Sequence, residues 1–325
     1  MKILVAGGAG YIGSALVPLL IDRGYEVVVV DLLWFGNHIP ASVKVIQKDV
    51  FDLQQSDVAG YDQVIFLAGL SNDPMAEFSP SLNFVYNASA PAYLAYLAKM
   101  AEVKRFIYAG SCSVYGYTVN ELYDEQAPAI SKHPYGISKL QGEKAVVQLV
   151  EKGFSTICFR QGTVSGYSPR MRLDLIVNTM FKSALETGAI TINNPSIWRP
   201  ILSIDDACNA YIRAVEASDE ISGIFNIASG NYTVGETADI VRGVIEKRLN
   251  RDIRLVIKHI QDFRNYKVSI DHAVNVLSFK PKHDAESIVG NLIDNLEKFN
   301  DFANPNYYNI KVFQQMPTQV ARGGA

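Results

Sequence analysis

The sequence predicts an α/β fold, a doubly wound parallel sheet joined to a smaller α/β substrate-binding domain. Three observations predict it. Short apolar runs alternate with helical patterns through the first half, as successive βαβ units require. A glycine cluster, Gly7-Gly8-Ala9-Gly10-Tyr11-Ile12-Gly13, follows the first run and opens the first helical stretch. The chain has 325 residues and is 48% apolar. That length suggests roughly two domains and ample hydrophobic core.

Taken in order, Lys2–Ala6, Glu26–Asp31, Val43–Gln47, Gln63–Leu67, Arg105–Ala109 and Ser155–Arg160 read as short strands. Val27 to Val30 is β-branched throughout, which suits a strand buried on both faces. Between the strands, Ile12–Arg23, Ala90–Met100 and Tyr135–Lys152 read as helices. The second half is less regular. Asp205–Ser218, Val234–Asn250 and Ala285–Phe299 look helical, with strands at Ile190–Ile192, Gly223–Ile227 and Arg254–Lys258. No clean linker separates the two halves. The expected division is a dinucleotide-binding lobe over 1–165 with returning segments at about 190–228, a smaller lobe over 166–189 and 229–315, and a small polar tail over 316–325.

The formal charge is −3, from 30 basic and 33 acidic residues. This excludes binding of nucleic acid or an anionic membrane by bulk charge. Cys112, Cys158 and Cys208 lie far apart, so neither a zinc site nor a disulfide framework is expected. Free thiols fit a reducing, cytoplasmic setting. No signal-like start and no membrane-length apolar run is visible.

The glycine cluster contains Gly8-x-Gly10-x-x-Gly13 and Gly7-x-x-Gly10-x-x-Gly13. Missing side chains let the turn tighten and bring backbone N–H groups to a pyrophosphate, whose charge the helix N-terminus favours. Asp31 closes the second strand about 20 residues on, where a carboxylate bonds a ribose 2′-hydroxyl. It would repel a 2′-phosphate, so NAD is expected over NADP. Tyr135 and Lys139 stand four apart in Tyr135-Gly136-Ile137-Ser138-Lys139, hence on one helix face. An ammonium so placed can lower a phenol's pKa toward a usable base. Ser111 follows the strand Arg105–Ala109, at the strand end where ligands of doubly wound sheets bind.

The order of GGAGYIG, Asp31, Asp49-Val50, Leu67-Ala68-Gly69, Asn87, SCSVYG and YGISK resembles the extended short-chain dehydrogenase/reductase family, with its Rossmann-type sheet. It is most similar to the NAD-dependent nucleotide-sugar epimerases and dehydratases. The resemblance implies that Tyr135 takes the proton of a sugar hydroxyl. Lys139 would hold the nicotinamide ribose and lower the Tyr135 pKa, and Ser111 would bond the same sugar oxygen. Gly7, Gly10, Tyr11, Ile12 and Gly13 would form the phosphate turn. Asp49 and Val50 would frame adenine, and Leu67, Ala68 and Gly69 would run along the cofactor. Asn87 matches a mostly structural position.

Departures narrow the chemistry. Family dehydratases carry an acid two residues before the Tyr of the xYG element, where this chain has Ser113. That disfavours β-elimination and the related decarboxylation. Reductive 3,5-epimerases place a cysteine there, whereas Cys112 is one place early and no histidine lies between His133 and His259. Thr163 replaces the asparagine of many UDP-galactose epimerases. Ser168–Asn178 is similar to a subgroup that includes GDP-heptose 4-dehydrogenases. Arg199 in Trp198-Arg199-Pro200 and Arg264 in Asp262–Ser269 match two diphosphate-arginine segments. Arg170 and Arg172 divide between a phosphate and Asp174 or solvent, and Asn178 either caps its helix or meets the nucleotide. The expected substrate site is therefore Ser111, Ser113, Thr163, Asn178, Arg199 and Arg264, with no metal.

The expected activity is an NAD-dependent nucleotide-sugar epimerase, at C4 through a transient 4-keto sugar. Two alternatives stay open: a nucleotide-sugar 4-dehydrogenase, and a non-catalytic NAD-sensing protein of the same fold. Family members pair the helices Ser81–Met100 and Tyr135–Lys152 across a four-helix interface, so a homodimer is expected.

Overall fold

The computed structural model describes residues 1–258 and 264–316, and at 118–120 the backbone alone. Its strands, in chain order, are β1 (Lys2–Ala6), β2 (Glu26–Asp31), β3 (Lys44–Gln47), β4 (Gln63–Phe66), β5 (Arg105–Ala109), β6 (Tyr117–Tyr123) and β7 (Ser155–Gln161). They continue as β8 (Thr163–Ser165), β9 (Ala189–Asn193), β10 (Trp198–Ser203), β11 (Gly223–Ile227), β12 (Gly230–Thr233), β13 (Arg254–Lys258) and β14 (Asn265–Val268).

Seven strands form one parallel sheet in the order β11-β7-β5-β4-β1-β2-β3. The order reverses at β1 and β4, the switch point where doubly wound sheets open a ligand crevice. Alternation along β1 explains the two cores. Ile3 and Val5 face one side with Leu16, Val17 and Leu20 of the helix Tyr11–Asp22. Leu4 and Ala6 face the other with Leu94 and Val146 of the helices Ala90–Met100 and Pro134–Val147. The central strands β4, β5 and β7 are buried at every position, as helices on both faces require.

The chain leaves this sheet after β7 and returns to it only at β11. β9 pairs with β13 in a separate two-stranded sheet, so residues near 190 do not belong to the seven-stranded sheet. β10 lies between β8 and β12 in a third sheet. β6 pairs with β14, a contact the sequence did not suggest.

Several element ends also differ. Ser81–Met100 is not one regular helix: Pro80–Phe84 runs through a π turn at Val85–Ser89 into Ala90–Met100. Its buried Asn87 bonds Leu70 O, Asn83 Oδ1 and Ser138 Oγ, tying the turn to its neighbours. The helix expected to reach Lys152 ends at Val147, because Gly153 at φ +93° turns the chain and Glu151 pairs with Phe154. The helix expected to reach Phe299 ends at Asp294. His259, Asp262, Phe263 and the tail from Pro317 lie outside the described residues.

Candidate active site

The carboxyl ends of β1, β2, β4, β5 and β7 open into a cleft of about 670 Å³, closed on its far side by the smaller sheets. Gly7, Gly10, Tyr11, Ile12, Asp31, Asp49, Val50, Leu67, Ala68 and Gly69 line one end. Ser111, Ser113, Tyr135, Lys139, Thr163, Arg199 and Arg264 line the other. Of the expected residues, the structure thus brings all but Gly13 and Asn178 to one cavity.

The glycine turn is built for a close approach. Gly7 has φ +78°, and a Cβ there would stand 2.4 Å from the Ala68 nitrogen. A Cβ on Gly13 would stand 2.2 Å from the Gly8 carbonyl oxygen, so Gly13 seats the helix Tyr11–Asp22 on the turn rather than facing the cleft. Gly10 precedes the helix with no side-chain cap, leaving its first N–H groups directed at the cavity. Asp31 accepts from the N–H of Ala9 at 3.0 Å and of Leu33 at 2.8 Å. Burial raises its pKa, opposed by those two bonds and by Arg170. This cradle of turn, helix start and strand-end carboxylate fits a dinucleotide.

Tyr135, Lys139 and Glu143 follow one another at four-residue steps on the helix Pro134–Val147, so one face carries all three. Burial pushes the Tyr135 phenol up to about 12, helped by Asp73 and opposed by Arg172 and a hydrogen bond from Ser111. Lys139 Nζ donates to Ala109 O at 2.9 Å. Burial lowers the Lys139 pKa to about 7. Gly69, at φ +134°, lets this ammonium sit close: a Cβ there would lie 2.3 Å from Asn87 Oδ1 and 3.5 Å from Lys139 Nζ.

The buried lysine sets a stability expectation. Its folded pKa lies below the unfolded value of 10.5, so the unfolded chain binds more protons between about pH 7 and 10.5. The cost of burying the charge is full below pH 7 and fades as pH rises. Relative to Lys139→Met, the wild-type protein should therefore gain stability from pH 7 to 9, by at most about 1.4 kcal/mol per pH unit. Urea midpoints of the two proteins at both pH values check this; a constant difference would contradict it.

Ser113 donates to Ser111 Oγ at 2.9 Å, so the position that holds an acid in dehydratases supplies a hydroxyl here. Cys112 is buried and bonds Arg160 O at 3.1 Å, and burial pushes its thiol far up. Arg199 donates to Trp198 O at 2.9 Å and to Arg264 O, and lies over the Tyr266 ring. Arg264 pairs with Asp73, and the Arg199 bond to Arg264 O joins the two arginine segments in the cleft wall. Arg172 pairs with Asp174 at 2.8 Å, which resolves its place.

Asn178 does not reach the cleft. It lies in the first turn of the helix Ile176–Thr187, where its amide accepts from Gly166 N and donates to Arg172 O. Sequence reading also missed the bidentate pair beneath the site, Arg160 with Glu143 at 2.8 and 2.7 Å. The spacing of Glu143 from Lys139 was the available signal. It missed Asn309 too, which reaches the cleft from the far end of the chain. Among the described residues, no group of His, Cys, Asp or Glu could hold a metal ion, and no helix is long and apolar enough to cross a membrane.

Residues 3–228 match the family model described as the NAD dependent epimerase/dehydratase family. A UDP-glucose 4-epimerase of Halalkalibacterium halodurans is 29% identical over 309 residues, covering 87% of this chain and 91% of that one. UDP-glucuronic acid decarboxylase 3 of Arabidopsis thaliana is 27% identical over 298 residues, covering 87% and 85%. Among solved structures, the Thermotoga maritima UDP-glucose 4-epimerase with UDP-glucose superposes with a TM-score of 0.82 at 23% identity, over 93% of this chain and 100% of that one. The Bacillus cereus UDP-glucuronic acid 4-epimerase, in complex with UDP-glucuronic acid and NAD, gives 0.79 at 22% identity over 92% and 99%.

Proposed function

This chain belongs to the NAD dependent epimerase/dehydratase family, and from that premise we propose that it epimerises nucleotide-diphosphate sugars at C4 through a transient 4-keto sugar. The observation that carries the reading is the convergence of Tyr135, Ser111 and Lys139 in one cleft with the glycine turn and Asp31. NAD, when bound, supplies reversible hydride acceptance. Tyr135 Oη takes the C4 hydroxyl proton and returns it to the ketone oxygen on the other face. Ser111 holds that oxygen and stabilises the phenolate. Lys139 orients the cofactor from below Gly69. Asp31 holds the adenosine ribose, Asp49 and Val50 flank adenine, and Leu67 to Gly69 line the path to the nicotinamide. Arg199 and Arg264 face the sugar nucleotide's diphosphate, with Thr163 and Ser113 near the sugar. Ser113 in place of an acid supports epimerisation over elimination.

A cofactor lobe built on the seven-stranded sheet and a substrate lobe built on the small sheets complete the reading. Exposed Val85, Tyr96 and Met100, all on the run Val85–Met100, and Val150 beyond the neighbouring helix, support a homodimer through these helices. Buried, unpaired Cys112, Cys158 and Cys208 support a cytoplasmic setting.

Incubation with UDP-, GDP-, dTDP- and CDP-sugars, read by NMR and by NADH absorbance, tests the activity. A C4 epimer without net NADH is expected. An accumulating ketone with NADH would replace epimerase by dehydrogenase, and no turnover of any sugar would favour a sensor. Asp31→Asn removes the charge but keeps an acceptor for the loop. It should weaken NADH binding about tenfold or more and narrow the preference over NADPH, by fluorescence titration. An unchanged ratio would refute the ribose role.

A further inference from the structure

The cleft wall beside the glycine turn holds an arginine that the catalytic residues, Arg199 and Arg264 leave unexplained. Arg170 is 2% exposed and lines the cleft. Its backbone N–H donates to Ser14 Oγ at 3.2 Å, which sets it against the first turn of the helix Tyr11–Asp22. Its guanidinium stacks over Phe35, 3.7 Å from the ring centre, and one terminal nitrogen bonds Asn309 Oδ1. Its Nε is buried with no hydrogen-bond partner among the described residues.

Nearby acids do not complete this group. Asp174 is engaged by Arg172, and Asp31 accepts from Ala9 and Leu33. Burial, then the like charge of Arg172, push the Arg170 pKa down to about 9. A buried cation with an open N–H is costly until an anion meets it. The loop after Asp31, Leu32-Leu33-Trp34-Phe35, carries no charged side chain, and only the Trp34 indole N–H could donate from it. The helix start supplies only backbone N–H groups.

We propose that Arg170, oriented by Asn309, is the cationic arm of the dinucleotide's diphosphate site, beside the N-terminus of the helix Tyr11–Asp22. This rests on the NAD reading above. A guanidinium suits the task because its fork can meet two phosphate oxygens at once. Asn309 comes from 139 residues further along, on the helix Asn309–Gln315. That helix is fastened by Phe313 against Trp34 and Phe78. The helix Asn309–Gln315 thus takes part in holding the cofactor through one side-chain bond. Asn309 is a positioning residue, and Arg170 is the contact.

The test measures displacement of NADH fluorescence from the full-length protein by ADP-ribose and by adenosine. The two share the base and ribose, and only the first carries the diphosphate. Arg170→Met should weaken ADP-ribose and NADH roughly ten- to hundredfold and adenosine far less, so the ratio of the two affinities collapses. Arg170→Lys, which keeps the charge, should restore part of the ratio. Asn309→Ala should lower it in the same direction and by less. Equal losses for both ligands, or none, would overturn the diphosphate role. If the wild-type protein binds none of the three ligands, the NAD reading itself fails; if it binds them and Arg170→Met keeps the ratio, only the role of Arg170 does.

Discussion

Tyr135→Phe is expected to keep NAD bound and to lower turnover by roughly 10²–10⁴-fold, the usual share of a positioned general base. In the proposed reaction the phenol oxygen moves the proton of the sugar hydroxyl, and Phe removes only that oxygen. The ring still fills its place on the helix face, so the cleft keeps its shape. NADH affinity by fluorescence and kcat from epimer formation separate the two effects. Loss of NADH binding along with turnover would instead make Tyr135 a structural wall. Unchanged turnover would remove it from the chemistry.

Glu143→Ala is expected to destabilise the fold by about 3–5 kcal/mol, because it strands a buried guanidinium. Arg160 and Glu143 are both nearly inaccessible, 4% and 1% exposed, and share two hydrogen bonds. Arg160 also donates to the Tyr115 hydroxyl at 2.8 Å, which in turn bonds Asn226. The pair pins the helix carrying Tyr135 and Lys139 to the end of β7. Removing both charges, as Glu143→Met with Arg160→Met, should recover most of the loss, since neither partner then stays buried and unpaired. Thermal and urea midpoints of the single and double variants measure it. A double variant as unstable as the single one would show that the network through Tyr115 carries the stability, not the charge pair.

Much of this was legible in the chain. Glycines admit few readings when a strand precedes them and a helix follows, and Gly7 and Gly13 occupy places where a Cβ collides with backbone. The four-residue step from Tyr135 to Lys139 fixed a shared face. It did not fix where the ammonium points, which the carbonyl of Ala109 decides across the sheet. Asn178 poses the same problem, since its helical position leaves the partner of its amide open. Helical position is local, but its amide is spent on Gly166 and Arg172 through a fold of the loop between them. Arg170 and Arg172 could not be separated in sequence because Asp174 can serve either. The fold gives it to Arg172 and leaves Arg170 to Asn309. The pairing of β6 with β14 joins segments far apart in sequence, and no local pattern announces such a contact.

The central claim is that one cofactor takes a hydride from C4 and returns it to the same carbon. A UDP-hexose deuterated at C4, incubated with the protein and followed by NMR, tests this most directly. The account predicts a C4 epimer that keeps its deuterium at C4, with none released to solvent and no reduced cofactor accumulating. Epimer that has exchanged its label with water, or a label that ends in free reduced cofactor beside a 4-keto sugar, would contradict it.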